Sequence, residues 1–161
     1  MGIRRPRALF LRAGFALVLV LAFAATVTAS QGPRFRVLLS GANEVPAADP
    51  DGTGRATVWI DATAGEVCFD IRVSNTGTPN RAHIHVGAAG ANGGIVVPFF
   101  ELIGLAADPL NDVLEDKGRV EGCVEAAPEL LATIAANPEG YYVNLHNARF
   151  PGGAVRGQLD N

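Results

Sequence analysis

Apolar and polar residues alternate with a period of two along most of the chain beyond residue 34. That period belongs to a strand with one buried face, because successive side chains leave an extended backbone on opposite sides. The clearest stripe is Val67, Phe69, Ile71 and Val73, with Glu66, Cys68, Asp70 and Arg72 as its alternates. Ala56, Val58 and Ile60 form a second stripe against Arg55, Thr57 and Trp59. Ala82, Ile84 and Val86 form a third, and Val120 with Val124 a shorter fourth. Residues 35–39, 141–146 and 154–159 read as further strands, and the near-continuous apolar run 94–100 reads as a buried one. Turn residues punctuate the series at Asp49-Pro50-Asp51-Gly52, Ala64-Gly65, Thr76-Gly77-Thr78-Pro79 and Pro151-Gly152-Gly153. One stretch departs from period two. Leu130, Leu131 and Ile134 have helical spacing, opened by Pro128 and closed by Asn137-Pro138, which predicts one short helix near 128–137. Residues 101–117 are the least regular and read as a long loop. About eight short strands and one helix predict an all-β chain, an antiparallel Greek-key sandwich or barrel of immunoglobulin-like or superoxide-dismutase-like type.

The first residues belong to a different pattern. Arg4, Arg5, Arg7 and Arg12 precede an apolar run over 13–25, and Val27 and Ala29 supply the small residues of a cleavage site. This predicts a secretory signal peptide over residues 1–29, with the run too short for the ~20 residues of a spanning helix. The expected destination is extracellular or periplasmic, with no stable membrane insertion after cleavage and the export route left open. Four of the thirteen basic residues lie in that segment and none of the sixteen acidic ones do. The remainder carries nine against sixteen, a formal charge of −7. Such a chain lacks the basic surface that a nucleic-acid partner requires. The remaining chain of about 130 residues has the size of one domain.

The candidate chemistry lies in three histidines. His83 and His85 are two apart in one strand and so share a face, and His146 joins them if its strand lies alongside. Three neutral imidazoles suffice to hold one copper or zinc ion with a position left open, with an acid such as Asp70 as a partner orienting a ring. On the alternative reading, the rings hydrogen-bond one another, backbone groups and Asn144, and hold a polar face together. Metal affinity is expected to fall below roughly pH 6, since a protonated ring cannot coordinate. Arg156 could clamp an anion beside the histidines or pair with Glu44. Cys68 and Cys123, an even pair in an exported chain, both alternate away from apolar stripes, which predicts a cross-strand disulfide. Ser30, Ser40 and Ser74 are the only serines, and none stands in a recognisable nucleophile motif.

Four separated motifs carry a resemblance. They are Asn43-Glu44-Val45-Pro46; Ala82-His83-Ile84-His85-Val86-Gly87 with Gly90 and Gly93-Gly94; Tyr142-Val143-Asn144-Leu145-His146; and Pro151-Gly152-Gly153-Ala154-Val155-Arg156-Gly157-Gln158-Leu159. In this order they closely resemble the CHRD domain, the module repeated in chordin and present singly in bacterial secreted proteins. The resemblance covers residues 35–159 and departs at Ala154, where the family more often has an acid. It implies a β-sandwich, export and, by way of chordin, binding of an extracellular protein; it implies no established reaction. His83-Ile84-His85 and the late Gly-Gly-x-x-Arg-Gly also partly resemble copper/zinc superoxide dismutase. That enzyme's paired ions require six histidines and an aspartate, and a chain with three histidines rejects it. Three functions remain, one of them a purely structural role in the cell envelope. The first is a non-enzymatic extracellular binding module for a protein or small ligand, presenting Glu44, Asn144 and Arg156. The second is a mononuclear copper or zinc protein using His83, His85 and His146, with redox activity a further expectation.

Overall fold

The computed structural model describes residues 32–101 and 118–160. The expected signal peptide and almost all of the expected loop over 101–117 lie outside the described residues. Eight strands follow in chain order: β1 (Arg34–Ser40), β2 (Thr53–Asp61), β3 (Glu66–Ser74), β4 (Pro79–Val86), β5 (Ile95–Glu101), β6 (Arg119–Glu125), β7 (Tyr141–Asn147) and β8 (Val155–Gln158). One helix, α1 (Pro128–Ala136), joins β6 to β7, followed by a single 3-10 turn at Pro138–Gly140.

The strands form one antiparallel sheet in the order β5-β4-β7-β8-β1-β2-β3-β6. The hairpin of β7 and β8 is thus inserted between β4 and β1, a Greek-key arrangement. The sheet curls until its two ends approach: Phe69 of β3 stacks on Phe99 of β5, ring centroids 4.5 Å apart. The result is a nearly closed barrel, the all-β Greek-key class expected.

Alternation decides what fills it. Phe35, Val37 and Leu39, Ala56, Val58 and Ile60, Val67, Phe69 and Ile71, Ala82 and Ile84, and Val143 and Leu145 all face inward and are buried. At roughly 25 cal/mol per Å² of apolar surface removed from water, these stripes supply the main stabilisation. The helix starts with Pro128 in its first turn, where a missing N–H costs nothing, and ends at Asn137, whose N–H donates back to Thr133 and Ile134. Leu131 and Ile134 are buried, and the helix packs on β2 and β3. Leu130, expected on the same side, is only half-buried.

Two stripes end differently from expectation. Val86 and Ile95 are exposed, because there the chain leaves the barrel for the loop at 87–94. The run read as a fully buried strand is β5, at the sheet edge, where Pro98 removes no N–H that a central strand would need.

Cys68 and Cys123 are register partners on β3 and β6, and their sulfurs are joined. Both point out of the barrel, as their alternation requires. Asp70, two residues on, accepts two hydrogen bonds from Arg119 at 2.9 and 3.0 Å. Arg119 holds the Asp70 carboxyl below the usual range. Asp70 therefore belongs to the β3/β6 face and has no part in orienting a histidine.

Candidate metal centre

The outer face of β4, β7 and β8 carries three rows of side chains set by register. His83, Asn144 and Arg156 form one row, His85, Tyr142 and Gln158 the next, and Arg81 with His146 a third. All three histidines thus emerge on one side of two adjacent strands, as period two demands.

This face is not an open surface. His83, His85 and His146 are 2, 7 and 5 % exposed. Every residue of β7 is buried, on both faces. Segments 41–52, 87–94 and 148–153 lie over the face, and the polar side chains beneath hold them there. Arg156 donates from Nε to the Asn43 carbonyl and from Nη1 to Ala91 O at 3.1 Å and Asn92 Oδ1 at 3.0 Å, joining two of the segments. Asn92 in turn donates to Val45 O at 2.7 Å. Glycine permits the close approach: a Cβ on Gly93 would stand 1.6 Å from Val86 O, and one on Gly153 (φ +141°) 2.7 Å from either Glu44 carboxylate oxygen.

The ring nitrogens converge. One donor atom from each histidine lies within 4.8 Å of the other two. His85 Nδ1 is 3.0 Å from Gly93 O and His146 Nδ1 is 3.2 Å from Pro151 O. A carbonyl only accepts, so both rings carry their proton on Nδ1 and leave an Nε2 lone pair free to accept or ligate. The His85 Nε2 atom is buried with no hydrogen-bond partner. His146 Nε2 lies 3.3 Å from His83 Nδ1. Because His146 Nε2 is the acceptor, His83 donates, and to ligate through Nδ1 it must move that proton to its other nitrogen. Three nitrogens held roughly 2.0–2.1 Å from one ion stand about 3.3–3.6 Å apart. The His83–His146 separation already meets this, and His85 offers the free lone pair. The residues fit a three-imidazole ion site. Backbone carbonyls supply the orienting contacts expected from an acid.

Burial dominates the electrostatics. It pushes His83 and His146 down to about 4, aided by Arg81 and the neighbouring rings, and it lowers His85 as well. The rings are therefore neutral through the ordinary pH range, as ligands must be. The onset of protonation moves well below the pH 6 expected for ordinary imidazole. Burial also raises Glu44 to about 7, against the opposing pull of Arg156 and Asn144.

The other expected site residues gather here too. Glu44 Oε2 is 3.9 Å from Arg156 Nε, at the outer limit of an ion pair. Asn144 bonds to Glu44 rather than to a histidine. Glu44, Arg156 and Gln158 also line a cleft of about 570 Å³ with Arg36, Asn43 and Leu38. Sequence reading passed over Tyr142, whose ring stacks on His85 at 5.0 Å and lies under the Arg156 guanidinium at 4.7 Å. The signal was present: Tyr142, Asn144 and His146 alternate on one face. A second group, Glu66 with Cys68 and Cys123, also brings donor atoms together. Its sulfurs are joined to each other, so it offers no thiolate.

Among known families, the model of the CHRD domain matches residues 35–159. This chain belongs to the CHRD domain family. Neither curated proteins nor solved structures gave a match. The buried histidine face thus lies within the CHRD module, between its β4 and β7 strands.

Proposed function

We propose that this protein is an exported, single-module bacterial CHRD protein, non-enzymatic, whose binding site holds one copper or zinc ion through His83, His85 and His146. One observation carries the reading: three buried histidines each bring a ring nitrogen within 4.8 Å of the other two, and His85 Nε2 is an orphaned acceptor among the described residues. A buried polar atom without a partner costs about 1–3 kcal/mol, and an ion at this point would remove that cost. The donor set is all imidazole, which suits copper and zinc better than calcium or magnesium. Two Nδ1–H groups tied to carbonyls pre-orient their rings and so lower the entropy of binding. Such an ion would act as a Lewis acid with an open position, while the chain holds the rings neutral and shields them from bulk water. Export is supported by the disulfide, which persists in oxidising compartments. No helix among the described residues is long and apolar enough to cross a membrane.

The second reading is a module that recognises an extracellular protein or small ligand. The cleft lined by Glu44, Arg156 and Gln158 favours it. The two readings separate in one experiment, elemental analysis with copper and zinc titration of the processed protein beside His85→Ala. The expected result is one ion per chain, lost in the variant. Loss of one ligand should exceed the roughly 10–100-fold cost typical of an outer-shell partner. No uptake at micromolar metal overturns the metal reading and leaves the cleft as the site.

A further inference from the structure

The charges around the three histidines do not balance once an ion is added. The donors are neutral imidazoles, and among the described residues no carboxylate joins them in the converging group. Glu44, the buried acid of the same face, already lies beside Arg156. Two guanidinium groups flank the rings instead. Arg81 is the register partner of His146 and stands two residues from His83 on the same face. Its Nη2 donates to Pro151 O at 2.7 Å, the same carbonyl that His146 uses. The nearest acid paired with it, Glu101, is exposed and 3.9 Å away. Arg156 reaches the other side, its guanidinium and the His85 ring both lying against Tyr142. Among the described residues, Arg81 Nε and Arg156 Nη2 are buried with no hydrogen-bond partner.

A divalent ion placed among neutral ligands beside two cations, away from water, is costly unless a negative charge accompanies it. Three imidazoles also leave one position of a four-coordinate ion unfilled. We propose that the centre binds a small monovalent anion together with its metal, drawn there by the guanidinium groups of Arg81 and Arg156. The inference rests on the metal reading above. It adds the class of exogenous ligand: a compact anion rather than a neutral molecule or a second cation.

The test uses the copper(II)-loaded processed protein titrated with sodium azide at constant ionic strength, followed by absorption and electron paramagnetic resonance. Azide bound to copper(II) adds a charge-transfer band, so the readout needs no catalytic activity. We expect a saturable band in the millimolar range or below. Compared at equal copper loading, set by metal analysis of each sample, Arg81→Gln and Arg156→Gln should each weaken azide by about tenfold, as expected for loss of a charge-assisted contact. Copper bound at one equivalent with no azide band overturns the inference and leaves the metal reading intact. So does azide binding in both arginine variants as strong as in the wild type. Absence of copper uptake removes the metal reading itself, a result visible before any azide is added. If Arg156→Gln fails to fold, because it joins two covering segments, Arg81→Gln and the wild-type titration still decide.

Discussion

On β3 and β6 the outward side chains are Glu66, Cys68, Asp70 and Arg72 facing Arg119, Glu121 and Cys123, and they are exposed or half-buried. On β4 and β7 the outward side chains are Arg81, His83 and His85 facing His146, Asn144 and Tyr142, and all but the half-buried Arg81 are buried. Both pairs are antiparallel, both alternate, and both point their outer residues away from the same core. The difference is the cover. Three loop segments lie over the β4/β7/β8 face and none of the described segments does the same for β3/β6. Beneath cover, desolvation governs: it depresses the rings and raises Glu44. In the open, a direct hydrogen bond from Arg119 governs Asp70, with solvent screening the rest. One face is thus arranged as an exposed covalent clamp, and the other as a dry polar pocket.

The contrast can be broken first at the clamp. Replacing Cys68 and Cys123 by serine should lower unfolding free energy by about 4 kcal/mol, the chain-entropy value for cross-linking residues 55 apart. Urea denaturation with and without reductant measures this. Metal uptake of the folded fraction should be unchanged, since the two faces share no side chain. A parallel loss of uptake would mean the faces are coupled.

Proton linkage sharpens the contrast at the pocket. Unfolded histidines titrate near 6.5, and folded His83 and His146 near 4. Between these values the unfolded chain carries more protons, so acid favours unfolding. The rings' contribution to the stability of the metal-free protein should be complete above pH 6.5 and be lost as pH drops toward 4, by on the order of 3 kcal/mol for the coupled rings together. Glu44 works in the opposite sense. Its folded value of about 7 lies above the ordinary 4.5, so its contribution is present below 4.5 and lost as pH rises through 7. Its window, from 4.5 to about 7, overlaps that of the rings and runs the other way, so Glu44→Gln should steepen the acid fall. Denaturation midpoints from pH 4 to 8 check both. A flat profile below pH 6.5 in Glu44→Gln would show that the rings are hydrated in solution.

The smallest effect belongs to the exposed ion pair. Asp70→Asn should cost less than about 1 kcal/mol, because the pair is screened and partly solvated. It should leave metal uptake untouched. A large loss of uptake would return Asp70 to the role that its place on β3 denies it.

Much of this was legible in one dimension. Alternation through Val67, Phe69 and Ile71 placed Cys68 outside, and the same reasoning placed Cys123 outside, so a cross-strand bridge required only that β3 and β6 be neighbours. His83-Ile84-His85 fixed two rings on one side of β4. The burial of those rings was not legible, because strand periodicity reports which side a residue takes and not what lies over it. Gly93 and Pro151, whose carbonyls hold the ring protons, carry their function in the backbone, where side-chain chemistry leaves no mark. Asp70 was misplaced for the same reason: its sequence marks it as an outward acid, and only strand order says which outward face.

The order of residues alone determined the element types, the inward stripes, the outward direction of the cysteines and the histidine pair, and the absence of enough histidines for a two-metal centre. Those follow from backbone geometry, which acts over two or four residues. Tertiary structure decided that β7 lies between β4 and β8, that His146 therefore meets His83 across 3.3 Å, and that three segments close over them. These depend on strand pairing between residues as far apart as 83 and 146. Desolvation, which makes the pocket chemically distinct, exists only once that cover is in place.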